Sequence, residues 1–523
     1  MKNTFQYGVD QLSCSTALKI SQGKVQAELS AETKGLINQS AAYVQQIVDS
    51  GKVVYGINTG FGPLCTSLIS PTDTRKLQEN ILMSHAVGVG EPIPAELSKL
   101  MMVLKVHALA KGFSGVKLDT VERILWHIEQ DIVPVVPKQG SVGASGDLAP
   151  LSHLFLPLIG MGKVWYKGQI VPTKDLFKEL QVEPIKLGAK EGLALINGTQ
   201  FMAAHAVKAV VDMQNLLSNA DLVAALMLEG LNSSIKPFFA ELHALRPYKG
   251  NQFVASTIYN LLEGSEILIS HKNCSRVQDP YSLRCIPQVH GASRNAWLHL
   301  RETIEIEINS VTDNPIIINE ELTISGGSFH GQPIALPIDY ATLAVSEIGN
   351  VSDRRVYLSL EGDTPNVPKL LLQSTGLNSG FMILQYTTAA LASENKGLCF
   401  PASADSIPTS LGQEDHVSMG SIGSRKLMQV IQNVSNILSI ELICAAQAFD
   451  FHRPLKSTPI LEAVHAEIRK VIPHVTEDQC MEDIILAAQE LISAGTLVQT
   501  ANALATEQGV AYYGKHVEFF NEF

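Results

Sequence analysis

The chain has 523 residues, 46% of them hydrophobic and 17% charged, with 39 basic against 51 acidic side chains and a net charge of -12. A chain this long and apolar, with no low-complexity tract, buries a large core divided over about two or three domains. No basic block stands out, which argues against nucleic acid or an anionic membrane as partner.

The N-terminal "MKNTFQYGVD" is polar, and no signal peptide is expected there. "TKGLINQSAAYVQQIVDSG" reads as an amphipathic helix closed by a glycine C-cap. "KVVYGINTG" reads as a short strand carrying Tyr55 into a glycine-rich loop. In "LQENILMSHAVGVG", the spacing from Leu77 and Ile81 puts His85 on the apolar face of a helix. "AELSKLMMVLKVHALAKG" predicts a second amphipathic helix, and "KLDTVERILWHIEQDIVP" a third that stops at Pro134. Residues 140–153, "GSVGASGDLAPLSH", form a run of small residues ahead of a helix-like segment. "KVWYKGQIV" is the other β-like stretch, and the longest apolar run, around "HLFLPLIGMG", is too short to cross a bilayer.

From Gly198 to about Leu231 helical periodicity continues unbroken. Further long helices are predicted at "NAWLHLRETIEIEINSV", "YATLAVSEIGNVSDRRVYLSL" and "SRKLMQVIQNVSNILSIELICAAQAF". Residues 271–293 and 323–336 interrupt them as Gly/Pro/polar loops, and "AYYGKHVEFFNEF" looks like an appended tail. We expect a mainly α protein. A mixed, mostly helical N-terminal domain with a little β covers 1–200, and a long-helix bundle with its tail covers 201–523. The seven cysteines, Cys14, Cys65, Cys274, Cys285, Cys399, Cys444 and Cys480, are scattered without a CxxC, as in a cytoplasmic protein with reduced thiols.

The run "GSVGASGDLAP" admits several readings. Gly146 is followed by Asp147 rather than Lys, which excludes a P-loop, and "GASGD" lacks the last glycine of a nucleophile elbow. A structural turn or an anion nest remains open. A third reading uses the backbone itself. Attack of the Gly146 amide nitrogen on the Ala144 carbonyl carbon would close a five-membered ring, which glycine allows because it has no β-carbon. Loss of water from Ser145 would then leave an exocyclic methylidene, an electrophile no ordinary side chain supplies.

The string "QGSVGASGDLAPLSH" resembles the signature of the aromatic amino-acid ammonia-lyases. "YGINTGFGPL", "EGLALINGTQ", "VQDPYSLRCIPQVHGA", "SVTDNP", "LNSGFM" and "GQEDHVSMG" extend the likeness in family order. The resemblance implies the ammonia-lyase/aspartase-like fold and a 4-methylidene-imidazol-5-one (MIO) group formed autocatalytically from Ala144, Ser145 and Gly146. It also implies no metal or diffusible cofactor, and a homotetramer with shared active sites. Tyr281 would be the base and Arg284 the clamp on the substrate carboxylate, a task that suits a planar guanidinium. Tyr55 would assist proton transfer or orient the amine, and Asn197 would lie beside the prosthetic group. Gln278 and Phe329 would line the pocket.

The resemblance also assigns His85 to recognition of the substrate ring, and together with Glu414 it would decide the substrate. An apolar ring would leave the Glu414 charge unpaired, whereas an imidazole serves both side chains. The expected reaction is therefore elimination of ammonia from L-histidine to give trans-urocanate, the first step of histidine degradation. The rivals are a tyrosine lyase or aminomutase on the same scaffold, and an inactive helical homologue whose loop never cyclises. His330 and His416 lack compact metal-ligand spacing. Ser328 and Gly412 stand where most of the family carries asparagine.

Overall fold

The computed structural model describes residues 4–62, 69–70, 73–272, 277–513 and 520. Cys65, Cys274 and most of the C-terminal tail lie outside the described residues. The described part contains twenty α-helices and only short strands, so the mainly α expectation holds. The centre is a bundle of very long helices. Gly420–Asp450 packs against both Gln332–Leu360 and Gln200–Gly230, and Ile286–Glu307 lies against Gln332–Leu360 and Lys249–Leu262. One apolar cluster runs through this bundle and on into the N-terminal helices.

Several elements differ from expectation for local reasons. The 31-residue Gly420–Asp450 helix is long and apolar enough to cross a membrane, unlike the run singled out in the sequence, yet most of it is buried against other helices. The Ala95–Ala110 helix is buried on nearly every side rather than amphipathic, because it packs against neighbours from both the N-terminal region and the bundle. The third helix ends at Glu129, ahead of Pro134, since Val133–Pro134 pairs with Val164–Trp165. The strand expected at "KVVYGINTG" is a loop. Asn58 Oδ1 accepts the Val54 N–H at 2.9 Å and Thr59 Oγ1 accepts the Gly56 N–H at 3.1 Å, bonds that compete with any ladder. The apolar residues there, Val54 and Ile57, instead join a small satellite core with Val44, Ile47 and Ile317.

"KVWYKGQIV" does form a hairpin, Lys163–Tyr166 with Gln169–Pro172, turned by Lys167 and Gly168 at φ 47° and 77°. The helix expected at 340–360 starts earlier, at Gln332. Pro337 lies inside it, just past the first turn, and forfeits the bond to the Pro333 carbonyl. Likewise the Ile286–Glu307 helix and the Tyr281–Arg284 turn shorten the 271–293 interruption.

Candidate active site

Residues 140–147 are held where helices begin. The Leu148–Phe155 helix follows directly, and the first turns of Gln200–Gly230 and Gly420–Asp450 both reach the loop. Asp147 accepts the Met202 N–H at 3.0 Å and the Ser141 hydroxyl at 2.8 Å. The Met419 N–H donates to the Val142 carbonyl at 2.9 Å. Ser418 and Ser421 hydroxyls donate to the Gly143 and Ser141 carbonyls at 3.0 and 2.6 Å. Burial pushes the Asp147 carboxyl up to about 7, against the lowering effect of the Met202 and Ser141 hydrogen bonds. Helix N-termini carry partial positive charge, so the loop sits in a field that favours negative charge.

Within the loop, Ala144, Ser145 and Gly146 fit the ring-forming reading. Gly146 has φ 71°, and a β-carbon there would lie 2.0 Å from the Gly198 carbonyl oxygen. No other residue can occupy that position without moving the backbone. Ser145 Oγ donates to Glu414 Oε1 at 2.6 Å, which holds the hydroxyl that would leave against a carboxyl group. The Ser145 carbonyl accepts the Asn197 side-chain amide at 2.7 Å.

A cavity of about 830 Å³ opens over Ala144 and Ser145, and Tyr55, His85, Asn197, Phe329 and Glu414 line it too. Burial pushes His85 below its ordinary range, against the Ile81 backbone bond and the Glu414 carboxylate. Its Nδ1 lies 3.0 Å from Ser84 Oγ. Glu414 Oε2 accepts the Thr409 hydroxyl at 2.7 Å, so both carboxylate oxygens are fixed. The Tyr55 hydroxyl accepts the Gly62 N–H at 3.3 Å, tying the ring to its own glycine loop.

Three expected site residues are not brought into this cavity by their own chain. Tyr281, 71% exposed, begins the Tyr281–Arg284 turn, and the Arg284 guanidinium stacks 4.7 Å over its ring. Gln278 is exposed just before them. None of the three lines the cavity. His330 and His416 stack at 5.4 Å, and no group of three or more metal-ligating side chains occurs among the described residues. Ser328 is exposed and outside the cavity lining, although Gly327 and Phe329 on either side belong to it. Gly412 has φ 86°, a conformation open to glycine and, next most readily, to asparagine, which explains that exchange.

Sequence reasoning missed Asn314 and Gln413 in the lining, although both lie inside quoted motifs. It also missed Lys105, 1% exposed, whose Nζ donates to the Asn197 carbonyl at 2.7 Å. Burial pushes this ammonium down to about 7, opposed by the Asp313 carboxylate. A lone charge within "LMMVLKVHALA" was the available clue.

The sequence profile of the aromatic amino acid lyases matches residues 12–470. The chain is 43% identical over 490 residues to a histidine ammonia-lyase of Myxococcus xanthus, covering 94% of this chain and 96% of that protein. The structure resembles the crystal structure of histidine ammonia-lyase from Trypanosoma cruzi with a TM-score of 0.90 and 37% identity, over 99% of this chain and 97% of that one. It resembles tyrosine aminomutase from Streptomyces globisporus with the same TM-score of 0.90, at 31% identity over 96% of this chain and 99% of that one.

Proposed function

The chain belongs to the aromatic amino acid lyase family, and from that premise we propose that it eliminates ammonia from L-histidine to give trans-urocanate. It is a carbon–nitrogen lyase. The observation that carries the substrate choice is that His85 and Glu414 line one cavity, with Glu414 on the Ser145 hydroxyl. An imidazole offers one N–H to the carboxylate and one nitrogen to a histidine partner, so neither polar group is left unpaired. A phenyl ring offers neither side chain a polar partner, and a phenol offers one oxygen to be shared between both.

Ring closure joins the Gly146 nitrogen to the Ala144 carbonyl carbon with loss of one water. Ser145 then loses its hydroxyl and α-proton as a second. The resulting MIO group supplies an electrophilic methylidene that draws electrons from the substrate, a role no metal or diffusible cofactor need share. Around it each side chain has one task. Asn197 donates to the Ser145 carbonyl, where negative charge collects in the reaction. His85 and Glu414 hold the imidazole, Phe329 walls the pocket, and Tyr55 orients the amine or helps move its proton. Tyr281 removes the β-proton, Arg284 pairs with the substrate carboxylate and Gln278 completes the carboxylate end.

These last three come from another subunit of a homotetramer. Their absence from their own chain's cavity supports that reading, as does an exposed apolar face of Leu336, Tyr340, Leu343, Tyr357, Ile383 and Tyr386 on two adjacent long helices. The N-terminal part to residue 200 carries the reactive loop, residues 201–523 supply the bundle, and the enzyme works in the cytoplasm.

The test is ultraviolet absorbance over time with purified protein and either L-histidine or L-tyrosine. Urocanate from histidine alone is the expected result. Coumarate or a β-amino acid from tyrosine would overturn the substrate assignment. Inactivity together with the intact mass of an unmodified chain would overturn the enzyme reading.

A further inference from the structure

Lys105 has no part in the steps above. It sits in the Ala95–Ala110 helix, 1% exposed, with Nζ on the carbonyl oxygen of Asn197 at 2.7 Å. The side-chain amide of that same Asn197 donates to the Ser145 carbonyl at 2.7 Å. Two short hydrogen bonds, meeting at Asn197, therefore connect the buried Lys105 amine to the oxygen of the reactive loop. The nearby carboxylate is already engaged elsewhere. Asp313 takes Lys190 Nζ at 2.7 Å and the Ser114 hydroxyl at 2.9 Å, and Lys190 also donates to the Ser114 carbonyl at 2.7 Å. Among the described residues Lys105 has no ion pair of its own.

A lone backbone carbonyl can be satisfied by a neutral donor at much smaller desolvation cost than by an ammonium. The turn it holds is already crowded. Asn197 ends the short Glu191–Ile196 helix, and Gly198 follows at φ 134°, its carbonyl taking the Asp147 N–H at 2.8 Å. The Asn197 N–H donates to the Leu193 carbonyl at 2.9 Å and other bonds fix Gly198 and Thr199; Lys105 holds the remaining backbone group of the residue, its carbonyl oxygen.

We propose that Lys105 is a positioning residue for the lyase reaction, locking the Asn197 peptide so that its side-chain amide stays on the Ser145 carbonyl. The inference rests on the lyase reading above. Misplacing a catalytic donor by about 1 Å can cost about 100-fold in rate, so a buried lysine devoted to one carbonyl has a kinetic purpose.

The experiment compares wild type, K105M, N197A and the double variant in the full-length enzyme, reading kcat, KM, melting temperature and intact mass. The expected result for K105M is a mature mass, lighter than the encoded chain by two waters, with KM within about twofold and kcat down by about 100-fold. The double variant should lose no more than N197A alone, because the lysine acts through the asparagine. An unchanged kcat, losses that multiply, or an immature K105M chain would each overturn the proposal. If K105M fails to fold, K105Q is read by the same criteria. Failure of both to fold would assign Lys105 to folding and refute the positioning role. An inactive, unmodified wild type would instead sink the lyase reading, and this inference with it.

Discussion

Ser145 stands between two groups with different duties, the Glu414 carboxylate on its hydroxyl and the Asn197 amide on its carbonyl. Replacing Ser145 with alanine should leave folding nearly intact, abolish urocanate formation and raise the intact mass to that of the unmodified chain; mass spectrometry and the absorbance assay read both. Glu414→Gln keeps the shape but removes the charge, and kcat/KM for L-histidine should fall by about 100-fold. A fall of less than threefold would end its assignment to the imidazole. At this scale the sequence was informative wherever the chemistry is contiguous. Ala144, Ser145 and Gly146 are adjacent, and Glu414 sits in a recognisable string. Asp147 and Lys105 were not legible as parts of the site. Their roles depend on Met202 and Asn197, which only the fold brings near them.

The elements divide along a similar line. Long helices announce themselves, since periodicity sustained over some thirty residues admits no other structure. Short elements do not: "KVVYGINTG" has strand composition, but the side chains of Asn58 and Thr59 close it into turns. The Ser410–Gly412 turn before Glu414 uses a positive φ at Gly412, so G412N should keep activity within about threefold, while G412V, β-branched, should be much poorer. The Leu118–Glu129 helix carries a pH-sensitive residue. His127 is buried with Nε2 unpartnered, and burial pushes it down to about 4. The unfolded chain takes up this proton near pH 6.5 and the folded one does not until about 4, so His127 lowers stability progressively as pH falls through that interval. H127F lacks the effect. Its stability deficit against wild type at pH 7 should shrink by up to about 3 kcal/mol at pH 4, as followed by denaturant unfolding at both values.

For the whole molecule, the proposed site is divided in space. Ser145 and its cavity lie in one place, and Tyr281 with Arg284 lies exposed in another. Co-expressing S145A with Y281F should therefore restore measurable activity, since mixed tetramers contain some sites with both intact halves; none would return if each chain built its own. That sharing entered only through the family resemblance, because motif order along a chain carries no information about which copy a residue serves. The clamp on the reactive loop has a further consequence, in time rather than in space. Ala144, Ser145 and Gly146 are synthesised early, but Ser418, Met419 and Ser421, which grip the Ser141–Gly143 backbone, are made far later. On the lyase reading, a nascent chain would stay without its electrophile until the bundle helix beginning at Gly420 has been made and has closed on the loop. The loss of two waters would then be a covalent record of completed folding, and a chain truncated before Ser418 should keep its unmodified mass.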